Sequence, residues 1–176
     1  MPKLQSAYRK HHSTETAVLW VLTDILTAMD NQQVTLLALL DLRAAFDCVN
    51  HDILLSRLQS SFGLRGITLT WIRSFLTDRS QRVFFNGSLS IEIMLLFGIP
   101  QGSVLGCLLF LLYAAQMFDI IASFRLTGHT YANDSQLYIS VPASELETAA
   151  TQLAACVDGL EQRMGSNRLK LKTQLF

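Results

Sequence analysis

Residues 34–40 form a short run in which six of the seven side chains are apolar, and this run leads directly into Asp41. A run of this length and composition predicts a central β-strand that is covered on both faces. An ionised carboxylate at the point where a buried strand emerges is costly unless a cation, a hydrogen bond or an ion pair compensates it. The feature constrains the fold strongly, because it predicts a buried sheet and places a candidate metal ligand at the end of its central strand.

The composition indicates a folded chain with a substantial core. Half of the 176 residues are hydrophobic and 16% are charged, which excludes a disordered or solvating protein. The longest uninterrupted apolar run, residues 104–115, is shorter than the roughly 20 residues of a bilayer-spanning helix, so we expect a core helix and no membrane partner. The polar, basic start argues against a secretory signal. Three scattered cysteines argue against disulfides and structural zinc, and predict an intracellular protein of the nucleus or cytoplasm.

The net charge of zero hides an uneven distribution of charged residues. Residues 1–14 carry three basic residues and residues 163–176 carry four, and neither segment has an acidic residue. The middle of the chain therefore sets seven basic residues against all fourteen acidic ones. A protein that binds nucleic acid on its own usually shows a clearer basic excess, so the basic ends fit either nucleic-acid contacts or simply solvated tails.

Two helices are indicated in the first third of the chain. Residues 16–29 have helical spacing, with one broad apolar stripe made of Val18, Leu19, Leu22, Ile25, Leu26 and Met29. Residues 51–62 form the second candidate, because Asn50 can cap the start of a helix and Gly63 can stop it.

Three further helices are predicted later in the chain. Residues 69–76 are a short candidate, and residues 103–118 are the buried helix already noted. The last helix has apolar residues at a spacing of three to four up to Gly165, and Ser144 and Glu147 have the spacing of a capping box at its start.

Two hairpins are predicted among these helices. Residues 81–95 contain Asn86-Gly87, a pair that accepts the positive φ of a tight primed turn. Residues 124–141 form the second hairpin, with its turn expected at Asn133-Asp134. Strands interleaved with helices and two hairpins indicate an α+β fold (an α/β sandwich) built on a small sheet.

Asp41 and Asp134 are the residues most able to carry chemistry. Asp41 is a cation ligand, a cap on the following turn, or the partner of Arg43. Asp134 lies near the tip of a hairpin, where aspartate usually serves the turn alone. Two carboxylates on adjacent strands could hold Mg²⁺ against a triphosphate, as in two-metal phosphoryl transfer, but spacing alone does not bring them together.

Three motifs occur in order along the chain. They are Leu-Asp-Leu-Arg-Ala-Ala-Phe-Asp (residues 40–47), Gly-Ile-Pro-Gln-Gly-Ser-Val-Leu-Gly (residues 98–106) and Tyr-Ala-Asn-Asp (residues 131–134). Together with the flanking residues 7–14, 52–58 and 74–82, they closely resemble the core of reverse transcriptases of non-LTR (LINE-type) retrotransposons. One motif would be weak evidence, whereas three in order with these flanks are specific, and the resemblance covers nearly the whole chain.

The resemblance implies the palm of a right-hand polymerase with part of the fingers, built on a small, mainly antiparallel sheet covered by helices. It assigns residues 34–49 and 98–176 to the palm, and residues 1–33 and 50–97 approximately to fingers-like parts. Nothing in the chain resembles the thumb or the endonuclease of the family. We therefore expect a truncated and degenerate reverse transcriptase domain.

The resemblance also implies RNA-directed DNA synthesis that uses Mg²⁺, or Mn²⁺, an RNA template, a DNA primer and dNTP. Asp41 and Asp134 match metal-binding aspartates of the family. Phe46 matches the aromatic residue that packs under the incoming sugar and excludes a 2′-hydroxyl, while from its residue type alone it is an apolar side chain that seats the loop. Gln101 and Gly102 match the segment that touches the incoming nucleotide and the template; taken alone, Gly102 is an ordinary glycine before a helix.

The third motif departs from the family pattern, because Asn133 stands where the family has the first aspartate of Tyr-Ala-Asp-Asp. That aspartate is the one that most directly binds the catalytic metals, and a neutral amide is a poorer ligand for a hard dication. We therefore expect weakened metal binding and an impaired or inactive polymerase. The alternatives are a catalytically dead palm that binds nucleic acid or protein, and a relic without function.

Overall fold

The computed structural model describes residues 5–176. In chain order the elements are α1 (Thr14–Asp30), β1 (Gln33–Arg43), α2 (His51–Ser60), α3 (Gly66–Leu76), β2 (Arg79–Gln81), β3 (Phe84–Phe85), β4 (Ser88–Leu89), β5 (Ile93–Leu95), α4 (Val104–Ala114), α5 (Gln116–Ser123), β6 (Thr127–Tyr131), β7 (Asp134–Pro142), α6 (Leu146–Ser166) and β8 (Lys170–Leu175). Helices and antiparallel strands are mixed, so the predicted α+β class is confirmed.

The described chain forms two compact units. The second unit is the continuous segment Phe46–Tyr113, and the first unit contains the residues before it, up to Ala45, and those after it, Ala114–Phe176. These boundaries differ from the division into palm and fingers-like parts, because residues 98–113 share a unit with residues 50–97. That division remains a prediction.

The first unit is built on a four-stranded antiparallel sheet with the order β6-β7-β1-β8. The interior strand β1 confirms the central strand that its apolar run predicted, and Ala38, Leu40 and Leu42 are buried on one of its faces. The strand continues beyond the apolar run to Arg43, since Asp41 pairs with residues on both sides. Asp41 therefore lies within the strand rather than just after it.

Helices cover both faces of this sheet. On the face that carries Asp41, the hydroxyl of Tyr138 in β7 donates a hydrogen bond of 2.5 Å to the Asp24 carboxylate in α1. On the opposite face α5 approaches β6 closely, since a Cβ at Gly128 would lie 3.0 Å from Ile121 Cδ1. Helix α6 packs against α5 and against β1, β7 and β8. The core of the unit lies between the sheet and these helices.

Helix α1 presents its small side chains to the sheet and its large apolar ones to solvent. Ala17, Val21 and Ala28 are buried, whereas five members of the apolar stripe are exposed by between 45 and 61%, namely Val18, Leu19, Leu22, Leu26 and Met29. The predicted helix is confirmed, but the stripe that revealed it does not face the core. The helix begins at a capping box formed by Ser13 and Thr16.

The segment before α1 covers the outer edge of β6. The backbone N–H of Ser6 donates to the carbonyl of Thr130 over 3.0 Å, and Gln5 forms a parallel bridge with the same residue. The Ser6 hydroxyl lies 3.0 Å from Nε2 of His129, and both residues are buried. Strand β8 forms the opposite edge of the sheet.

The second unit consists of helices and two short ribbons. The side-chain oxygen of Asn50 accepts a hydrogen bond from the Ile53 N–H, so the predicted cap of α2 is confirmed, and α2 packs on α3. Strands β2 and β5 form one ribbon, and β3 and β4 form the other. Asn86 (φ 46°) and Gly87 (φ 79°) make the turn between β3 and β4, as their sequence predicted.

Two details of the later helices correct the sequence predictions. The capping box of Ser144 and Glu147 is wrong, because a 3₁₀ turn over Ala143–Glu145 already contains Ser144 and leads into α6. The N-cap of α6 is Glu145, which makes no side-chain cap bond. The single helix expected over residues 103–118 is instead two helices, α4 and α5, which a turn at Ala115 separates.

The stretch Val104–Ser123 covers α4 and α5 and has a mean hydropathy of 2.1. By length and composition alone it is long and apolar enough to cross a membrane, a property that core helices of folded domains share. The sequence prediction of no membrane-spanning helix considered only the uninterrupted apolar run at residues 104–115. The longer stretch also includes Gln116 and Asp119.

Candidate active site

The site on the first unit begins with a direct cross-strand pair. Asp41 of β1 and Asp134 of β7 are partners in the antiparallel register, so their side chains lie next to each other on one face of the sheet. Asp41 is half-buried and Asp134 is exposed. On the other side of β1, Lys172 of β8 is the partner of Asp41. One carboxylate thus lies between a second carboxylate and a cationic residue.

Asn133 completes this group from the β6–β7 hairpin. Tyr131 pairs with Asp134, so the loop consists of Ala132 and Asn133 rather than the predicted Asn133-Asp134, because Asp134 is already held in register by β1. The Asn133 carbonyl accepts a hydrogen bond from the Leu42 N–H over 3.3 Å. Its side-chain amide Nδ2 donates to Asp41 Oδ1 over 3.1 Å. The structure therefore brings Asp41, Asn133 and Asp134 together, as the motifs predicted.

The Asp134 carboxylate lies beside Asp41, and its surroundings disfavour its ionisation. Burial raises the pKa of Asp134 above its ordinary value, and the negative charge of Asp41 raises it further. A cation bound between them would relieve this repulsion, because an opposite charge favours the ionised form of a carboxyl group. The electrostatics of the pair therefore suit a bound cation.

The pair opens into a cleft of about 310 Å³, lined by Leu39, Leu40, Asp41, Asp134, Ser135, Gln136, Lys172 and Gln174. Within it the side-chain oxygen of Gln136 is buried and has no hydrogen-bond partner in the described chain. Sequence analysis did not single out Gln136. Its position two residues after Asp134 on a strand was the available signal, because alternate residues share a face.

The oxygen donors of the cleft fit one divalent cation. The carboxylates of Asp41 and Asp134 and the unpartnered oxygen of Gln136 are the ligand types that Mg²⁺ prefers. Asn133 directs an N–H group, not an oxygen, toward Asp41. Among residues 5–176, no group of three or more His, Cys, Asp or Glu side chains is arranged to hold a metal ion. The described residues therefore offer two carboxylates and one amide oxygen to a cation.

The other three predicted residues belong to the second unit. The Phe46 ring stacks on Phe110 with centroids 4.8 Å apart, as expected for an apolar side chain that seats the loop. The Gln101 amide donates to Asp47 Oδ1 over 2.9 Å. Gly102 has a φ of +78° and open space around an added Cβ, so its backbone conformation is the feature that favours glycine there. The roles of these residues toward a nucleotide remain predictions.

The motif at residues 98–106 is hydrogen-bonded to the loop that follows β1. The Gly98 N–H donates to the Val49 carbonyl and the Ile99 N–H to the Phe46 carbonyl, each over 2.8 Å. His51 Nε2 lies 2.8 Å from the Gly98 carbonyl oxygen. No metal-ligand spacing in the sequence points to His51, and the structure gives this side chain a structural contact.

Residues 1–174 match the family described as reverse transcriptase (RNA-dependent DNA polymerase). The chain belongs to this family. It is 34% identical over 145 residues to the probable RNA-directed DNA polymerase from transposon BS of Drosophila melanogaster, which covers 80% of this chain and 16% of that protein. It is also 34% identical over 117 residues to the RNA-directed DNA polymerase from mobile element jockey of the same organism. That match covers 66% of this chain and 13% of the jockey protein.

These relatives confirm the resemblance to LINE-type reverse transcriptases, and this reverse transcriptase domain spans less than a fifth of their length. Among solved structures, the telomerase of Candida albicans in complex with a fragment of telomeric RNA superposes with a TM-score of 0.70 at 14% identity, covering 98% of this chain and 32% of that one. Apo telomerase of Candida tropicalis gives 0.64 at 13% identity, with 98% and 36% covered. The palm-like α+β fold is therefore confirmed.

Proposed function

We propose that this reverse transcriptase domain carries an RNA-directed DNA polymerase centre at Asp41 and Asp134 that Asn133 impairs. The observation that supports the proposal is the register pairing of the two aspartates, with the Asn133 amide hydrogen-bonded to Asp41. The substrates are those of the family, an RNA template, a DNA primer and dNTP. The cofactor is Mg²⁺ or Mn²⁺, bound less tightly than a complete set of carboxylates would bind it.

The carboxylates of Asp41 and Asp134 are the groups that would hold the cation, with Gln136 as a third oxygen ligand. When bound, a divalent cation lowers the pKa of a primer hydroxyl and neutralises triphosphate oxygens. Lys172, on the far side of Asp41, adds a positive charge to the wall of the same cleft. The chain thus contributes two anionic ligands and one cationic side chain to the site.

Asn133 weakens this arrangement in two ways. It removes a negative charge from the hairpin, and its amide occupies Asp41 Oδ1, an oxygen that would otherwise be available to a cation. Loss of a preorganised charge from a site that stabilises a charged transition state commonly costs about 10²–10³-fold in rate.

Primer extension on an RNA template tests the proposal, with Mg²⁺ and Mn²⁺ compared. We expect Asn133→Asp to extend the primer at least about 10²-fold faster than the unchanged chain. Adding Asp41→Ala to that variant should abolish the gain. Asn86→Asp is the matched control, because it makes the same chemical change in the turn of another hairpin. Extension by the unchanged chain as fast as by Asn133→Asp would contradict the impairment, and no extension by any variant would discard the catalytic proposal.

A second candidate is a catalytically dead palm that binds nucleic acid. The observation that favours it is Lys172, which lines the cleft while Asn133 holds Asp41 in a hydrogen bond. Binding of single-stranded RNA should weaken steeply as salt rises. Lys170→Gln with Lys172→Gln should reduce the slope of log affinity against log salt concentration by about 1.4, whereas affinity that is independent of salt would remove this candidate.

A further inference from the structure

The exposed stripe of α1 is a continuous apolar surface that the fold of the first unit does not use. Helix α1 contacts the sheet through Ala17, Val21 and Ala28, and through the hydrogen bond of Asp24 to Tyr138. The larger apolar side chains lie on a different face of the helix. We define the α1 stripe as Val18, Leu19, Leu22, Ile25, Leu26 and Met29, all of them exposed except Ile25, which is half-buried.

The spacing of the α1 stripe is that of a helix–helix seam. Val18, Leu22, Ile25 and Met29 follow one another at intervals of four, three and four, the alternation that aligns apolar residues along one side of a helix against a second helix. Leu19 and Leu26 are seven residues apart and widen the seam on one side. A partner helix with a complementary apolar stripe would cover this surface.

The charges of α1 indicate what should flank that partner stripe. The helix contains three acidic residues and no basic one. Asp24 is engaged with Tyr138, whereas Glu15 and Asp30 are exposed near the two ends of the stripe. Basic side chains beside the partner's apolar residues would complement these carboxylates.

The same charges disfavour other occupants. In an antiparallel pair of two α1 helices from two copies of the chain, Glu15 of one copy would lie near Asp30 of the other, and like charges repel. A membrane surface rich in anionic lipid would also repel the two carboxylates. A basic amphipathic helix avoids both costs.

We propose that the α1 stripe is a docking surface for an amphipathic helix of a partner protein, whose apolar stripe is flanked by lysine or arginine. The two acidic ends of α1 set the preference for basic flanks, and the apolar side chains supply the contact area. This surface is separate from the cleft at Asp41 and Asp134, so docking does not depend on polymerase activity.

The test uses a fluorescent three-heptad peptide with leucine at the a and d positions and lysine at e and g, and a matched peptide with glutamate in place of lysine. We expect the unchanged chain to bind the lysine peptide at least about tenfold more tightly than the glutamate peptide in low salt, by fluorescence anisotropy. Glu15→Gln with Asp30→Asn should remove most of that preference.

Variants of the stripe separate specific docking from general hydrophobic attraction. Leu22→Gln with Leu26→Gln should weaken binding of the lysine peptide at least about tenfold, and Val18→Gln with Met29→Gln should act alike on other turns of the helix. The control is Leu89→Gln with Ile91→Gln, which removes apolar side chains that are even more exposed from the second unit and should leave affinity unchanged.

Three results would overturn the proposal. The first is equal affinity of the stripe variants and the unchanged chain for the lysine peptide. The second is a dimer, seen by light scattering, that Leu22→Gln with Leu26→Gln dissolves, because a second copy would then be the occupant. The third is binding to phosphatidylcholine vesicles that the same variant abolishes, together with no binding of the lysine peptide.

Discussion

The side-chain amide of Asn133 donates a hydrogen bond to Asp41 Oδ1 over 3.1 Å. The residue that departs from the family motif is therefore in direct contact with the aspartate of the first motif. Where a second carboxylate would repel Asp41, the neutral amide of Asn133 donates a hydrogen bond to it, which stabilises the hairpin in the absence of a cation. We therefore propose that the substitution favours the fold of the hairpin at the expense of a metal ligand.

Asn133→Asp should reverse this exchange. A third carboxylate beside Asp41 and Asp134 should lower the melting temperature in the absence of divalent cations by about 2–4 °C, which corresponds to a loss of about 1 kcal/mol. Mn²⁺ should then raise the melting temperature of the variant more than that of the unchanged chain, because a ligand that binds only the folded state stabilises it. Differential scanning fluorimetry with and without Mn²⁺ checks both, and a cation response as large in Asn86→Asp would contradict the assignment.

Asp134→Asn should stabilise the first unit at neutral pH. The pKa of Asp134 is raised, so the folded chain binds this proton more tightly than the unfolded chain does. The protonated Asp134 side chain therefore makes its full contribution to stability at acid pH. This contribution is lost as the pH rises through the pKa that Asp134 has in the folded chain. At pH 7 we expect the melting temperature of Asp134→Asn to be about 1–2 °C above that of the unchanged chain. The effect is small because Asp134 is exposed and solvent screens its charge. The difference should vanish below the ordinary aspartate pKa of about 3.9, whereas a difference independent of pH would contradict the argument.

Tyr138→Phe should loosen α1 from the sheet. The Tyr138 hydroxyl donates to the Asp24 carboxylate, and burial together with this bond raises the tyrosine pKa. Removing the hydroxyl leaves the partly buried Asp24 carboxylate without this hydrogen bond, which should lower the free energy of unfolding by about 1–3 kcal/mol. Urea denaturation measures the loss. Tyr131→Phe is the control, because its hydroxyl has no protein partner among residues 5–176. Equal losses in the two variants would exclude the hydrogen bond as the cause.

Cys156 should be the least reactive of the three thiols. Its side chain is fully buried in α6, and burial raises the pKa of the thiol to about 11. Cys48 and Cys107 are half-buried. Because the thiolate is the reactive form, iodoacetamide at pH 8 should modify these two well before Cys156. Peptide mass mapping over time checks the order, and in denaturant all three should react alike; native labelling of Cys156 at the rate of Cys48 would show that its site opens.

Gly98→Ala should destabilise the second unit more than Gly102→Ala does. Both glycines have positive φ, at +86° and +78°, which costs about 1–2 kcal/mol for any residue with a Cβ. A Cβ at Gly98 would in addition lie 3.0 Å from the Asp47 carbonyl oxygen, whereas open space surrounds Gly102. We expect Gly98→Ala to cost at least about 1 kcal/mol more than Gly102→Ala in urea denaturation. An equal loss of stability in the two variants would contradict the prediction, and would mean that the backbone at Asp47 moves to make room for the added Cβ.

Local patterns were sufficient to predict most elements of the fold. The apolar run before Asp41 identified the central strand, and Asn86-Gly87 identified a tight turn, because each depends on residues close in sequence. The start of α6 was wrong, since Ser144 lies in a 3₁₀ turn that a capping motif in the sequence cannot reveal. The face that α1 presents to the sheet also could not be predicted, because it is set by contacts with residues distant in sequence, among them the hydrogen bond of Tyr138 to Asp24.

The site shows the same division between local and long-range information. The motifs predicted that Asp41, Asn133 and Asp134 meet, but only strand register placed Lys172 on the other side of Asp41. The one-residue error in the hairpin turn arose because the pairing of Asp134 with Asp41 fixes where β7 begins. Gln136 was missed although it lies two residues after Asp134, because only the folded chain shows that its side-chain oxygen is buried without a partner.

The two borders of the four-stranded sheet differ in how they can meet another chain. Ser6 already uses the Thr130 carbonyl on the β6 border, which blocks strand addition there. At the β8 edge of the sheet, the strand carries the side chains of Lys170 and Lys172. Lysines on an outermost strand discourage intermolecular pairing, because a second strand would bring their charges together. We therefore expect Lys170 and Lys172 to disfavour the pairing of β8 with the β8 strand of a second copy.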